Sequence, residues 1–227
     1  MIFVHGLNYG FKKDRPLFSN ASAVFEKGKI SGIFGKSGCG KSTLLRLING
    51  SLPLDQQDGS KGEICIDGCS IDQLNKEGAH QLIGTVYQDP DCQILFSHVE
   101  DELVFGMENH QLSKVEMAKR LKEVSQLLEI DHLMDRNPNH LSGGEKQLVI
   151  LASILCLNVE LILLDECMAQ VDKKGRERIT EAIIRLRDQG KTILMVEHER
   201  ENLAFADCLY QVAACGIERV ASDLEGE

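Results

Sequence analysis

Excess positive charge is missing from this chain: 35 acidic residues stand against 25 lysines and arginines, for a net charge of −10 over 227 residues. A nucleic-acid footprint needs a basic face, so binding to DNA or RNA is not expected. Also missing is any Cys-x-x-Cys pair, although there are eight cysteines, at positions 39, 65, 69, 92, 156, 167, 208 and 215. None of the seven histidines is spaced to complete a zinc site, and the thiols read as reduced ones in a cytosolic protein. Cys65 and Cys69 are the nearest pair; they flank Ile66-Asp67-Gly68, a strand end and turn, where no disulfide is expected. No apolar run reaches membrane-span length. Leu148 to Leu164 comes nearest, but it falls short of the roughly 20 residues a helical span needs. It contains Ser153, Asn158 and Glu160, and divides better into a buried helix, a short loop and a buried strand. Internal repeats and low-complexity stretches are absent, and Met1-Ile2-Phe3-Val4 begins a strand at once, with no secretory signal expected ahead of it. The expectation is a soluble single domain with subdomains, any membrane connection being made through partners.

What is there is chemistry for phosphate. Gly35 to Ser42 read GKSGCGKS, after the apolar run Ile30 to Phe34 and before a helical pattern over Thr43 to Asn49. This order of strand, glycine loop and helix lets successive amides face inward and adds the positive end of a helix dipole. Gly35, Lys36, Ser37, Gly38, Cys39, Gly40, Lys41, Ser42 and Thr43 are therefore candidates to hold a nucleoside polyphosphate. Lys41 would reach the terminal phosphates and Ser42 would place a hydroxyl on Mg²⁺. Leu161-Ile162-Leu163-Leu164-Asp165-Glu166 has the form of a buried parallel strand delivering two acids at its carboxyl end. Asp165 suits a Mg²⁺ shell and Glu166 a base for attacking water. Ser142 and Glu145, inside Leu141 to Gln147 (LSGGEKQ), form a capping box that starts a helix and turns its amides outward.

Short strands are predicted at Ile2–Leu7, Ser22–Phe25 and Ile30–Phe34, with Glu26-Lys27-Gly28-Lys29 as a hairpin turn, and at Gly62–Gly68. From Asp89 to Asn139 the pattern turns helical, with a capping box at Ser113 and Glu116 and one face formed by Leu121, Val124 and Leu128. A helix over Lys173–Gln189, with Ile179, Ala182, Ile183 and Leu186 inward, stops at Gly190. The strand Thr192–Val196 follows, leading to Glu197-His198, and a hairpin is read at Cys215-Gly216.

On the glycine loop, the Asp165-Glu166 strand and the full heptapeptide LSGGEKQ, the chain resembles the ATP-binding cassette family along nearly all of its length. The resemblance implies an α/β fold: a P-loop NTPase core with a parallel sheet, a small antiparallel β subdomain and an inserted helical subdomain. Residues 1–88 and 158–227 would form the core and 89–157 the helical subdomain. It also implies ATP and Mg²⁺ as cofactors, and two cassettes packed head to tail. Each ATP would lie between one subunit's glycine loop and the signature residues Ser142, Gly143 and Gly144 of the other. Gln88, after Thr85-Val86-Tyr87, matches the glutamine that touches Mg²⁺ or the lytic water. His198 matches the histidine that contacts the γ-phosphate, and Phe11 the aromatic that stacks on adenine, with Tyr9 as an alternative. Asp172 is kept, but Cys167-Met168-Ala169-Gln170-Val171 departs from the usual Pro-Thr-x-x-Leu.

The stretch Tyr87 to Phe96, followed by Val99 to Gly106 and Glu108-Asn109, is similar to the ATPases of energy-coupling-factor transporters, which drive vitamin and cobalt or nickel uptake. That resemblance implies an ATPase at the cytoplasmic face of the membrane, bound to transmembrane subunits through their coupling helices. Glu100, Asp101, Glu102 and Glu108 would suit a groove for basic coupling helices; a solvated acidic face is the plain alternative. A non-transport or regulatory cassette is the alternative function, and the second cassette could be a copy of this chain or a related one.

Overall fold

Residues of alternating character build the first sheet. In β1 (Ile2–Tyr9), Ile2, Val4 and Leu7 are buried while Phe3 and His5 face outward. The inward step lengthens from two residues to three after Val4, and the pairing register with β2 (Phe18–Phe25) shifts at the same place. Gly6, with φ 57, supplies the bulge, and Leu7 thereby regains the core face. β1 lies between β2 and β4 (Lys61–Ile66), and β5 (Cys69–Ser70) closes an antiparallel sheet of order β2-β1-β4-β5. Cys65 pairs with Ser70 and Ile66 with Cys69, so the two thiols point to opposite faces and do not form a disulfide.

A computed structural model describes residues 1–11, 15–54, 60–77, 83–169 and 171–221. They fall into two compact units, one comprising Met1–His80 and Gly190–Glu227, the other Gln81–Gln189. In the first, β3 (Ile30–Phe34) runs parallel to both β8 (Thr192–Glu197) and β9 (Cys208–Ala213). Ile30 to Ile33 and every residue of β8 are buried, as strands covered on both faces require. The turn at Lys27-Gly28 is therefore not a hairpin turn: β2 pairs with β1, whereas β3 pairs with β8 and β9. A half-exposed alternating strand and a continuously apolar one bury different faces, and the turn passes the chain from one sheet to the other. After β3, α1 (Lys41–Ile48) buries Leu44, Leu45, Leu47 and Ile48; α2 (Ile71–Glu77) follows β5. β10 (Gly216–Val220) folds back on β9 through a tight turn in which Ala214 and Cys215 adopt φ 47 and 61.

In the second unit, β6 (Ile83–Val86) pairs parallel with β7 (Leu161–Asp165) in the register Ile83 to Leu161 through Val86 to Leu164. Its helices are α3 (Val99–Asn109), α4 (Lys114–Leu127), α5 (Gly143–Cys156) and α6 (Lys173–Asp188). α5 is apolar over most of its circumference because it packs against α3, α4, α6 and β6. It approaches β6 so closely that a Cβ on Gly84 would stand 1.9 Å from Ile154 Cγ2. α6 buries Ile179, Ala182, Ile183 and Leu186, the stripe read from its sequence. At α4, Ser113 accepts the Glu116 amide (3.2 Å), but Glu116 sends its carboxylate to Arg120 (2.7 Å), so that capping box is half made. Among the described residues no helix is long and apolar enough to cross a membrane.

Candidate functional site

In the first unit Phe34, the last residue of β3, stands opposite Glu197, the last of β8. Gly35 and His198 thus leave neighbouring parallel strands at their carboxyl ends, the edge at which open α/β sheets bind ligands. The loop folds over its own lysine. Lys41 is 4% exposed, and its Nζ donates to the carbonyls of Gly35 (3.0 Å) and Lys36 (3.5 Å). The Cys39 amide donates to Lys36 O (3.2 Å), which tightens the curl. Gly40, at φ 109, caps α1, and a Cβ there would meet Phe18 Cζ at 2.9 Å; only glycine fits both the backbone and the wall. Lys36, Ser37 and Gly38 are exposed, and Ser42 and Thr43 stand half-buried in the first turn of α1. The curled glycine loop, the first turn of α1 and a buried ammonium together make a cradle for a polyanion. Phe11 lies 67% exposed with Tyr9 edge-on to it at 5.6 Å, so of the two aromatics Phe11 offers the open ring.

In the second unit, Val86 opposite Leu164 does for β6 and β7 what Phe34 and Glu197 do in the first. Gln88 and the pair Asp165-Glu166 leave adjacent strand ends together. Asp165 and Glu166 are each 6% exposed, while Gln88 is exposed. Glu166 has φ 51, a left-handed conformation that costs an L residue about 1–2 kcal/mol. Such strain persists where the surroundings hold it, and here the Glu166 carbonyl accepts the Ala169 amide (3.2 Å) while Cys167 and Met168 are buried. Burial of these two side chains thus anchors a loop that lacks the proline of the family pattern; Gln170 lies outside the described residues. Among the described residues no group of three or more His, Cys, Asp or Glu is placed to hold a metal. Mg²⁺ needs no such cage, since it takes most of its oxygens from phosphate and water and one or two from protein. Asp165, beside Gln88, fits that demand.

Also in the second unit, α5 begins at the signature. Ser142 Oγ accepts the Glu145 amide (3.3 Å), and Glu145 Oε2 accepts the Ser142 amide and hydroxyl (2.8 Å each), a complete capping box. The Ser142 amide above all, then its hydroxyl, holds the Glu145 carboxyl below its ordinary pKa against the opposing effect of burial. Ser142 is exposed at this end, with Gly143 half-buried behind it. α6 begins alongside: Asp172 caps it, accepting the Gly175 amide (2.8 Å). The two helix starts touch through glycines, since a Cβ on Gly144 would lie 3.2 Å from Gly175 Cα and 2.9 Å from Val171 Cγ1.

Three side chains that organise the Gln88 loop escaped the sequence reading. Gln93 Oε1 accepts the Tyr87 amide (2.7 Å) and its Nε2 donates to Thr85 O (2.9 Å), the two groups that a strand beside β6 would pair. Glu102, read as a surface acid, is 8% exposed and accepts the amides of Leu95 (2.8 Å) and Phe96 (3.0 Å). The desolvated carboxylate is satisfied by main chain, so it belongs to the loop's scaffold and not to an acidic face. Gln147, the last residue of the heptapeptide, is 4% exposed and donates through Nε2 to Tyr87 O and Gln88 O (3.4 Å each). No periodicity marks any of these; only the excess of amides and acids around positions 88 to 102 could have prompted a search.

Comparison with known proteins bears on the family and the fold. A family profile described as ABC transporter matches residues 18–169. An energy-coupling factor transporter ATP-binding protein, EcfA1 of Mycoplasmopsis synoviae (strain 53), is 32% identical over 210 residues, covering 91% of this chain and 77% of the relative. Among solved structures, cbiO1 from Clostridium perfringens, part of the ABC transporter complex cbiONQ, superposes with a TM-score of 0.86 at 27% identity, covering 96% of this chain and 86% of the other. A bacterial ABC transporter cassette solved as a dimer gives 0.80 at 25% identity, over 96% and 97% of the two chains. The strand-end placement of its motifs and the extent of these matches carry one conclusion: the chain is an ATPase that belongs to the ABC transporter family.

Proposed function

We propose that this chain is the ATP-hydrolysing subunit of an energy-coupling-factor type importer, held at the cytoplasmic face of the membrane by transmembrane partners and working as a dimer with a second cassette. Residues 1–88 and 158–227 act as its nucleotide-binding core and 89–157 as its helical subdomain. The observation that carries the reading is the delivery of the glycine loop, Gln88, Asp165-Glu166 and His198 at the carboxyl ends of parallel strands, Gly35 beside His198 and Gln88 beside Asp165-Glu166.

In this reading the loop amides and Lys41 grip the β- and γ-phosphates, and the exposed ring of Phe11 stacks on the adenine. Ser42, Gln88 and Asp165 hold Mg²⁺. When bound, the ion neutralises charge on the phosphate oxygens as the leaving group departs. Glu166 takes a proton from water as the water oxygen bonds to the γ-phosphorus and the bond to the bridging oxygen breaks. His198 donates to the γ-phosphate. Ser142, Gly143 and Gly144 present the start of α5 to the nucleotide of the opposing cassette, and Asp172 lies across the same interface. Most of the rate comes from positioning and charge stabilisation, and closing and opening of the dimer is the mechanical output.

The replacement Glu166→Gln tests this. Nucleotide binding stays intact, turnover falls by about 10²–10⁴, and size-exclusion chromatography with ATP shows a persistent dimer. Wild-type turnover in that variant would remove Glu166 as the base.

A further inference from the structure

The first two turns of α5 hold the Gln88 loop by side chains as well as by packing. Gln147 Nε2 sits between two carbonyls, Tyr87 O and Gln88 O, at 3.4 Å from each. One residue earlier, Lys146 Nζ pairs with Asp91 at 2.6 Å, and the Lys146 side chain is only 14% exposed. Asp91 lies in the single turn Pro90–Cys92, whose cap, Asp89, directly follows Gln88 in the loop. The loop's other end is fixed by Gln93 and Glu102. Among the described residues the main chain at Gln88 is thus tied by Gln147 to a helix that begins at Ser142.

Stability alone does not account for a glutamine here. Among the described residues its Oε1 is buried without a hydrogen-bond partner, so the side chain leaves one polar atom unsatisfied in order to supply donors to two loop carbonyls. The amide orientation is fixed by its neighbours, since turning it over would set oxygen against two carbonyl oxygens.

We propose that Gln147 is a positioning residue that ties the main chain of Gln88 to the start of α5, with Lys146–Asp91 as its second attachment. The state of the γ-phosphate sensed at Gln88 is thereby passed to Ser142 of the same chain, which serves the other nucleotide of the dimer. This deepens the proposed function and rests on it.

The test is Gln147→Met, which keeps length and apolar fill and removes the two donors. Affinity for a fluorescent ATP analogue and KM stay within about twofold of wild type, while kcat per folded chain falls roughly tenfold, because the two loop carbonyls lose their donor and the relief at Oε1 offsets that loss in stability. A lower melting temperature with unchanged kcat per folded chain would show a purely structural residue and overturn the proposal, as would unchanged values throughout. A second probe does not depend on Gln147: Lys146→Asp or Asp91→Lys alone lowers kcat about threefold, and the charge-exchanged double variant recovers it. Failure of the double variant to recover counts against the coupling. A wild-type chain that hydrolyses no ATP removes the functional reading as well; wild-type turnover with an unaffected Gln147→Met variant removes this proposal alone.

Discussion

The glycine contact between the starts of α5 and α6 allows a worked prediction. Gly175 lies in the first turn of α6, and a Cβ added there would stand 2.4 Å from Val171 Cγ1 and 2.9 Å from Asp172 Oδ1. Carbon pairs settle at about 3.5–4.0 Å, so the new methyl arrives about 1.1 Å too close. Val171 is 5% exposed, and its carbonyl is held by Arg176 Nε (2.9 Å), which leaves it little room to retreat. Overpacking of this kind costs about 1–3 kcal/mol, and exchanging glycine for alanine in a helix returns about 1 kcal/mol. Gly175→Ala is expected to destabilise by about 1 kcal/mol, or roughly 2–4 °C in melting temperature for a chain of this size. In a Val171→Ala background the Val171 wall, the tighter contact, is gone and only Asp172 Oδ1 at 2.9 Å remains, so the same change becomes nearly neutral, a coupling of about 1 kcal/mol. Urea denaturation of wild type, both single variants and the double variant measures it. Coupling below about 0.5 kcal/mol would mean that Val171 does not form the wall, and the argument fails.

Acid should weaken the start of α5 in a defined way. The folded-state pKa of Glu145 is depressed by the Ser142 amide and hydroxyl, so its stabilisation is present above the unfolded carboxylate value and is lost as pH falls through the lowered folded one. The gap in denaturation midpoint between wild type and Glu145→Gln holds its width from neutrality down to the ordinary carboxylate range and closes below about pH 4; a gap that keeps its full width below that range contradicts the assignment. The β9–β10 turn offers a stabilising change. Ala214 and Cys215 hold φ 47 and 61, where Asn-Gly is the favoured pair, and Ala214→Asn with Cys215→Gly should raise stability by about 1 kcal/mol, seen as a higher melting temperature. An unchanged or lower one would mean that the Cys215 thiol's contact with Pro16 O (3.3 Å) outweighs the backbone strain.

Features written in neighbouring residues were legible before the fold was seen. The Ser142–Glu145 box is chemistry within one turn, and the buried run Leu161 to Leu164 before Asp165 states its own environment. The hairpin at Cys215-Gly216 and the inward stripe of α6 are of the same local kind. Features set by distant partners were not. Lys27-Gly28 has the composition of a hairpin turn, and only the pairing of β3 with β8 and β9, far along the chain, makes it a passage between sheets. Glu102 looks like its acidic neighbours because its two partners are main-chain amides, which every residue possesses. Gln147 belonged to a recognised heptapeptide, yet nothing in the letters says that it turns inward to Gln88. Gly175 likewise owes its meaning to Gly144 and Val171, and proximity of that sort has no periodic signature.

The amide of Gln93 has one more bearing, on solubility. By engaging Thr85 O and Tyr87 N it occupies pairing positions along the flank of β6 that no strand covers among the described residues, so a foreign extended segment laid there would find those hydrogen-bonding groups already taken. The same side chain that shapes the segment carrying Gln88 thus guards an apolar border against intermolecular sheet growth, and a Gln93 substitution should provoke aggregation on overexpression as well as impair ATP turnover.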